Sequence, residues 1–156
     1  MAQRKVVLEG DEVLRKKSKE VKEINARILS LIDDMWETLG VYNGIGLAAP
    51  QVGVLRRIAV IDTGNEGERL ELINPKILST EGVVEEEEAC LSLPGYIGVV
   101  ERPARMTIET MTRDGSMLTI TGEGLLAKAM SHEIDHLDGV LFVDKAISVE
   151  MADSES

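Results

Sequence analysis

The pentapeptide His132-Glu133-Ile134-Asp135-His136 holds the residue types in this chain that most clearly support chemistry. Histidines four residues apart on a helix lie on one face, with Cβ atoms about 5–6 Å from each other. That spacing lets both imidazoles bind one divalent metal ion and leaves the intervening Glu133 free to act as a base. Because the chain has only these 2 histidines, the pattern predicts a metal site used in hydrolysis.

A third ligand is needed, since a catalytic site of this kind usually has three protein ligands and one open position. Cys90 is the only thiol in the sequence, and as a thiolate it would suit a borderline or soft divalent ion. A lone cysteine is more often a small buried apolar residue, and several carboxylates follow His136. The residues alone therefore leave the third ligand open between Cys90 and a downstream carboxylate.

Two other segments could supply hydrogen-bond donors that stabilise a negatively charged reaction intermediate. A metal makes a nucleophile of water at neutral pH, and Glu133 can take the proton and pass it to a leaving amine. Attack on a carbonyl produces an oxyanion, which requires hydrogen-bond donors. We expect these to be the side-chain amide of Gln51 and the backbone N–H of Leu91. Gly44 and Gly46 would allow an extended substrate to approach as an added strand.

Composition limits the class of protein. A chain of 156 residues suits one domain, and with 44% apolar but only 3% aromatic residues its core must be mostly aliphatic. The net charge of -11 argues against DNA or RNA binding as the main task. A single cysteine excludes an intrachain disulfide, which is typical of a reducing compartment. No apolar run has the length of a signal peptide or a membrane span, so we expect the cytoplasm and no membrane contact.

Hydrophobic periodicity predicts a first helix over residues 25–39, with Asn25 as its N-cap and Gly40 as its end. The dipeptide Asp114-Gly115 between two alternating segments is typical of a β-hairpin. The predicted strands are residues 57–61, 69–73, 76–79, 106–112 and 117–121.

A second helix, predicted over residues 123–138, carries the histidines, with Thr121 as its cap and Gly139 closing it. Strands followed by one long helix predict an α+β fold, in which mixed or antiparallel strands pack around this central metal-binding helix. We expect a single catalytic domain over residues 1–150 and a polar, flexible tail over residues 151–156.

Three segments, in this order, resemble the peptide deformylase family. The family's motifs are Gly-x-Gly-x-Ala-Ala-x-Gln, Glu-Gly-Cys-x-Ser and His-Glu-x-x-His. The first is intact from Gly44 to Gln51, and the third from His132 to His136. The second reads Glu88-Ala89-Cys90-Leu91-Ser92, with alanine in place of glycine. The resemblance extends over roughly residues 6–143.

This resemblance implies a hydrolase of protein biosynthesis that removes the formyl group from N-formylmethionine on new polypeptides and releases formate. Its partners would be N-formylmethionyl peptides and nascent chains in a bacterial-type cytoplasm, with at most transient ribosome contact. It implies ferrous iron as the physiological metal, with zinc or nickel as substitutes. The implied roles are metal ligation by Cys90, His132 and His136, acid–base catalysis by Glu133, and oxyanion stabilisation by Gln51 and the Leu91 amide.

The resemblance also implies residues around the reacting groups. The predicted substrate-binding residues are Ile45, Gly46, Ala89, Leu125 and Ala129. Arg102 and Asp135 would form an ion pair behind the ligands, and Asp135 would orient the histidine region. Glu88, close to Cys90 in sequence, would also support the ligands. Ala89 would cost about 1 kcal/mol or more if its backbone required a positive φ. Glu86 stands where the resemblance predicts an apolar residue of the methionine pocket.

Two other functions are compatible with parts of the pattern. A zinc endopeptidase has the same helix motif but usually takes its third ligand downstream of the histidines, where this chain has five carboxylates within 20 residues. A non-catalytic protein that binds metal and formyl peptides, disabled by Ala89, would bind both and release no formate.

Overall fold

The computed structural model describes residues 2–151, and its elements form the α+β arrangement that the sequence predicts. The α-helices are α1 (Ala26–Tyr42), α2 (Leu125–Leu137) and the short α3 (Phe142–Lys145). The strands are β1 (Gly46–Ala48), β2 (Ile58–Asp62), β3 (Arg69–Glu81), β4 (Val84–Cys90), β5 (Leu93–Arg102), β6 (Arg105–Met111), β7 (Met117–Glu123) and β8 (Ala146–Met151). Met151 ends β8, and the rest of the predicted tail over residues 151–156 lies outside the described residues. Within residues 2–151, no helix is long and apolar enough to cross a membrane.

A five-stranded antiparallel sheet separates the two long helices. Its strand order is β1-β2-β3-β6-β7. In β2, Ile58 and Val60 belong to the apolar cluster built with α1, whereas Ala59 and Ile61 belong to the cluster built with α2. The two-residue repeat of a strand produces this division, because successive side chains point to opposite faces. The sheet thus supports α2, the helix that carries the histidines, on one of its faces.

A second, three-stranded antiparallel sheet, of order β4-β5-β8, carries the cysteine segment. Leu93 and Val100 of β5 pack with Phe142 of α3 in a separate apolar cluster. Gly98 allows this packing, because a Cβ at that position would come within 2.9 Å of the Phe142 ring. β4 is an edge strand and ends at Cys90, whose sulfur lies against α2.

The first predicted helix is present, but it is longer than predicted. Asn25 caps α1, since its side chain accepts a 3.0 Å hydrogen bond from the N–H of Ile28. The prediction that Gly40 ends this helix is wrong. The helix continues to Tyr42, and Asn43 then takes the left-handed conformation with φ 56°, which asparagine tolerates better than most residues.

The helix that carries the histidines is slightly shorter than predicted. It begins at Leu125, after Gly124, whose φ of 58° and ψ of -128° are a glycine conformation. Thr121 lies within β7, so the prediction that it caps α2 is wrong. At the other end, Gly139 has φ 76° and its N–H donates to the carbonyl of His136 at 3.1 Å, which is the predicted glycine ending.

The strands differ more from the prediction than the helices do. Residues 69–73 and 76–79 form one strand, β3, with an irregularity in its pairing to β6 between them. β1, β4, β5 and β8 were not predicted. β4 contains the glutamates 85–88, which have low strand propensity, yet Glu86 is half-buried and Glu88 is buried. Pairing with β5 therefore outweighs the local preference of these residues.

Candidate metal centre

Three potential metal ligands converge where α2 passes the end of β4. The Sγ atom of Cys90 lies 3.3 Å from Nε2 of His136, and the ligand atoms of Cys90, His132 and His136 all lie within 4.8 Å of one another. A tetrahedral ion about 2.0–2.3 Å from each donor separates its donors by roughly 3.3–3.8 Å. The distance between Cys90 and His136 lies in this range, and the three donors are close enough together to be candidate ligands of one cation. Among the described residues Cys90, and no downstream carboxylate, completes this group.

The packing of α2 fixes both imidazoles. The two rings stand on one face of the helix with centroids 4.9 Å apart and planes at 69°. His136 is buried, whereas His132 stays partly accessible. Leu126 and Met130 press the helix onto β7 at Gly122, where a Cβ would come within 2.7 Å of both side chains. The absence of a side chain at this position lets the helix approach the sheet.

The surroundings of the imidazoles suit a cation. Burial lowers the pKa of His136 well below its ordinary value, so this ring is neutral and keeps a lone pair. Burial alone would lower the pKa of His132 too, but hydrogen bonds to the Cys90 and Glu88 side chains outweigh it and raise the pKa to about 10. The groups around His132 thus favour positive charge, which a metal ion would supply in place of a proton.

A chain of ion pairs supports the histidines from behind. The Arg102 guanidinium donates to both oxygens of Glu88, at 2.6 and 2.8 Å, and to Asp135 at 2.7 Å. Glu88 lies 2.8 Å from Nδ1 of His132, and Asp135 also accepts from Lys145 at 3.1 Å. The predicted pair of Arg102 with Asp135 is present. The predicted orienting contact is different, because Glu88 rather than Asp135 touches a histidine.

Glu133 is buried beside the cluster, at 4% exposed. Burial raises the pKa of its carboxyl to about 7. Among the described residues its Oε1 has no hydrogen-bond partner. A Cβ at Gly46 of β1 would overlap the Glu133 carboxylate, so the glycine gives this side chain its place. The sequence assigned Gly46 to substrate binding and did not predict that contact.

Gln51 presents its amide nitrogen to the cluster. Its Oε1 accepts from the N–H of Ala48 at 2.9 Å, while its Nε2 donates to Oγ of Ser92 at 3.1 Å and lies 3.6 Å from Sγ of Cys90. These contacts leave the orientation of the amide without ambiguity. Ser92 is fully buried, and sequence reasoning assigned it no role, although it closes the second motif.

A cavity of about 600 Å³ opens onto these groups. The predicted substrate-binding residues Ile45, Gly46, Ala89, Leu125 and Ala129 all line it, as do the catalytic candidates Gln51, Leu91 and Glu133 and the ligand candidates Cys90 and His132. The cavity is not lined by His136, Arg102 or Asp135, which lie behind the lining residues. Sequence reasoning missed several further lining residues, among them Leu8, Tyr96 and Lys128. The first two come from irregular or unpredicted segments, whereas helical spacing from His132 could have indicated Lys128.

Ala89 and Glu86 are the two positions at which this chain departs from what the deformylase resemblance predicts. Within residues 2–151, Asn43 and Asn74 are the only non-glycine residues with positive φ, so Ala89 carries no backbone strain of the kind anticipated. Glu86 does not line the cavity. Its carboxylate lies 4.0 Å from Nζ of Lys128 instead.

A family model decides the wider relationship, because the one described as polypeptide deformylase matches residues 3–152. The chain belongs to the peptide deformylase family. Peptide deformylases are metal-dependent hydrolases that remove the N-formyl group from newly made polypeptides, as the sequence predicted. This membership supports neither the zinc endopeptidase nor the non-catalytic alternative.

Curated peptide deformylases match almost the whole chain. The enzyme of Acetivibrio thermocellus is 54% identical over 147 residues, which are 94% of this chain and 85% of that protein. The enzyme of Desulfitobacterium hafniense is 53% identical over 146 residues, 94% of this chain and 96% of that protein.

Solved peptide deformylases share the fold. The Thermotoga maritima structure superposes with a TM-score of 0.90 at 36% identity, covering 95% of this chain and 100% of that chain. The Legionella pneumophila structure has a TM-score of 0.89 at 46% identity, covering 92% and 86%. An actinonin-bound class I type b enzyme from Acinetobacter baumannii has a TM-score of 0.87 at 31% identity, covering 95% and 100%. The mixed α+β fold is thus that of the family.

Proposed function

We propose that this chain is an active peptide deformylase in which Cys90, His132 and His136 hold one ferrous ion within a single catalytic domain of residues 1–150. The observation that carries the proposal is the convergence of these three donors beside the buried carboxyl of Glu133. Zinc or nickel would suit the same donors, because thiolate and imidazole bind borderline divalent ions. When bound, the ion supplies Lewis acidity and lowers the pKa of water at its open position.

Glu133 is the proposed acid–base residue. Its carboxyl borders the cavity, and its Oε1 makes no hydrogen bond to another described residue. A carboxylate at this position can take a proton from the attacking water and deliver it to the amine that leaves. The space left by Gly46 keeps the carboxyl within reach of the substrate.

Gln51 and the Leu91 amide are the proposed donors to the oxyanion. The Gln51 amide group is held by Ala48 and Ser92, so its Nε2 is oriented before any substrate arrives. Such preorganised donors stabilise charge that develops during attack on a carbonyl without having to reorient. Leu91 follows directly after Cys90, which would bring its N–H to the same side of the centre.

The substrate is proposed to enter as an extended chain between two sheet edges. β1 and β4 are both edge strands, and Gly46 and Ala89 on these strands line the cavity. A peptide in this position can bond to both edges as an added strand. The methionine side chain would then contact the apolar residues Ile45, Leu125 and Ala129.

We further propose that the natural substrates are nascent chains in the cytoplasm and that contact with the ribosome is at most transient. The supporting observation is the net charge of -11, which weakens attraction to RNA phosphates.

The test is formate release from a formyl-Met-Ala-Ser peptide by anaerobically prepared, iron-loaded protein. We expect turnover that a chelator abolishes and that iron restores. Actinonin, which is bound in the related A. baumannii structure, should compete with the peptide. Metal binding without any formate release would overturn the proposal and favour a non-catalytic binder. As a control, Cys90→Ser should lose both metal and turnover.

A further inference from the structure

Lys128 is a charged residue in the wall of the cavity, on the same helix as the apolar lining residues Leu125 and Ala129. It lies on α2 one turn before His132, on the side of the helix that includes Leu125 and Ala129. All four residues line the cavity. The Lys128 side chain is only 22% exposed, so its hydrocarbon stem is covered by neighbouring groups.

Two groups on β4, one hydrogen-bond acceptor and one carboxylate, lie near the ammonium group of Lys128. Its Nζ donates to the backbone carbonyl of Glu87 at 3.0 Å and lies 4.0 Å from Oε1 of Glu86. The Glu86 side chain is itself only 31% exposed, so the attraction acts partly away from bulk water. Glu86 does not line the cavity, so it acts on the cavity through Lys128.

We propose that Lys128 is a specificity-determining residue of the substrate pocket and that Glu86 positions it. This proposal rests on the proposed function. With its ammonium drawn to β4, Lys128 presents methylene groups to the cavity, as long cationic side chains do when the charge finds a polar partner. The wall then accepts an unbranched apolar side chain such as that of methionine and gives no anion a partner.

Loss of the Glu86 charge should change which substrates are accepted. The ammonium would keep the Glu87 carbonyl but lose its ionic partner, so it would turn into the cavity more often. A cation there disfavours an apolar side chain and favours a carboxylate of similar length. The preference of the enzyme should therefore move from formyl-methionyl towards formyl-glutamyl peptides.

The experiment compares kcat/KM for formyl-Met-Ala-Ser, formyl-norleucyl-Ala-Ser and formyl-Glu-Ala-Ser in metal-loaded wild type, Glu86→Gln, Lys128→Met and the double variant. For Glu86→Gln we expect the ratio of the glutamyl to the methionyl peptide to rise about fivefold, equivalent to ~1 kcal/mol. The values of kcat/KM for the norleucyl and methionyl peptides should change by the same factor, because both have unbranched apolar side chains. In the Lys128→Met background, Glu86→Gln should change nothing, since the group it positions is gone. Glu85→Gln, on the exposed neighbour of the same strand, is the matched control.

The outcomes separate this proposal from the function on which it rests. One result is that the ratio of kcat/KM for the glutamyl peptide to that for the methionyl peptide is equal in wild type, Glu86→Gln and Lys128→Met while formyl-methionyl turnover is intact. That result overturns the specificity proposal alone. A shift that persists in the double variant shows that Glu86 does not act through Lys128 and also overturns it. If wild type releases no formate from any of the three peptides, the proposed function fails first, and this inference fails with it.

Discussion

The Nδ1–H of His132 donates a 2.8 Å hydrogen bond to the Glu88 carboxylate, and this contact joins the metal centre to the second sheet. Burial opposes ionisation of Glu88, but hydrogen bonds from Arg102 and His132 outweigh it and lower the pKa of the carboxyl to about 2. A carboxylate only accepts hydrogen bonds, so Nδ1 of His132 must carry the proton. Nε2 is then the atom free to bind a metal.

Glu88→Ala should weaken metal binding about 10–100-fold, the usual effect of removing a residue that orients a ligand. Arg102 would also be left without its main partner, so some loss of stability should accompany the change. A competition titration against a chelator measures the affinity. Glu87→Ala is the control, because that side chain is exposed and only its backbone carbonyl is used. Equal metal affinities in the two variants would show that Glu88 does not support metal binding.

Glu133→Gln should keep the metal and lose most turnover, by about 10²–10⁴-fold, because the amide cannot transfer the proton. Metal content per chain and kcat for formyl-Met-Ala-Ser are the two measurements. An active variant with full metal content would exclude Glu133 from the mechanism.

Gly46→Ala tests whether the position of Glu133 matters as well as its identity. The added methyl group would overlap the Glu133 carboxylate, and displacement by about 1 Å can cost on the order of 10²-fold in rate. We expect kcat to fall with metal content unchanged. Gly40→Ala is the control, since a Cβ at this position of α1 meets no atom within 4 Å. Similar rates in both variants would show that the site tolerates the methyl group.

The identity of the metal should decide stability in air. Fe²⁺ and the Cys90 thiolate are both oxidisable, and an open coordination position admits oxygen. We expect formate release by the iron form to decay in air, and the nickel and zinc forms to keep their activity. Rates followed over time, with the mass of the Cys90 peptide, separate metal loss from thiol oxidation. Equal decay of all three forms would contradict a thiolate–iron centre.

The pH dependence of stability should reflect Glu71, which lies far from the metal ligands in sequence. Burial raises the pKa of Glu71, but hydrogen bonds from Arg113 and Trp36 outweigh it, so the pKa lies below its ordinary value of 4.5. A lowered folded-state pKa means that the charged form stabilises the fold at pH values above about 4.5, and that this contribution is lost as the pH falls towards the lowered value.

The measurement that checks this is the urea concentration at the midpoint of unfolding. It is compared between wild type and Glu71→Gln at pH 7 and again at pH 3. We expect the wild type to be more stable at pH 7 and the difference to shrink at pH 3. Glu66→Gln, on an exposed turn, should show no such change. A difference that stays constant with pH would mean that ionisation of Glu71 contributes nothing.

Sequence patterns predicted elements with a strong local signal and missed those that depend on partners. The helix with Asn25 as its cap and the helix with His132 and His136 have apolar periodicity and terminal residues that act within a few positions. The glutamates 85–88 have no such signal, because their strand exists only through pairing with β5. The side-chain contacts that orient Gln51, through Ser92, and His132, through Glu88, cross 41 and 44 residues of sequence and could not be read from spacing.

The sequence by itself determined the candidate reacting groups, because their types and short-range spacing are chemical facts of the chain. His132 and His136 share one helix face by geometry alone. Glu133 lies between them in sequence, and the cysteine motif supplied the third candidate donor through resemblance. Tertiary structure decided which atoms meet. It brought Cys90 within 3.3 Å of His136, made Glu88 the partner of His132, and set Lys128 against Glu86. These contacts join separate sheets and helices, and only packing of the aliphatic core fixes their distances.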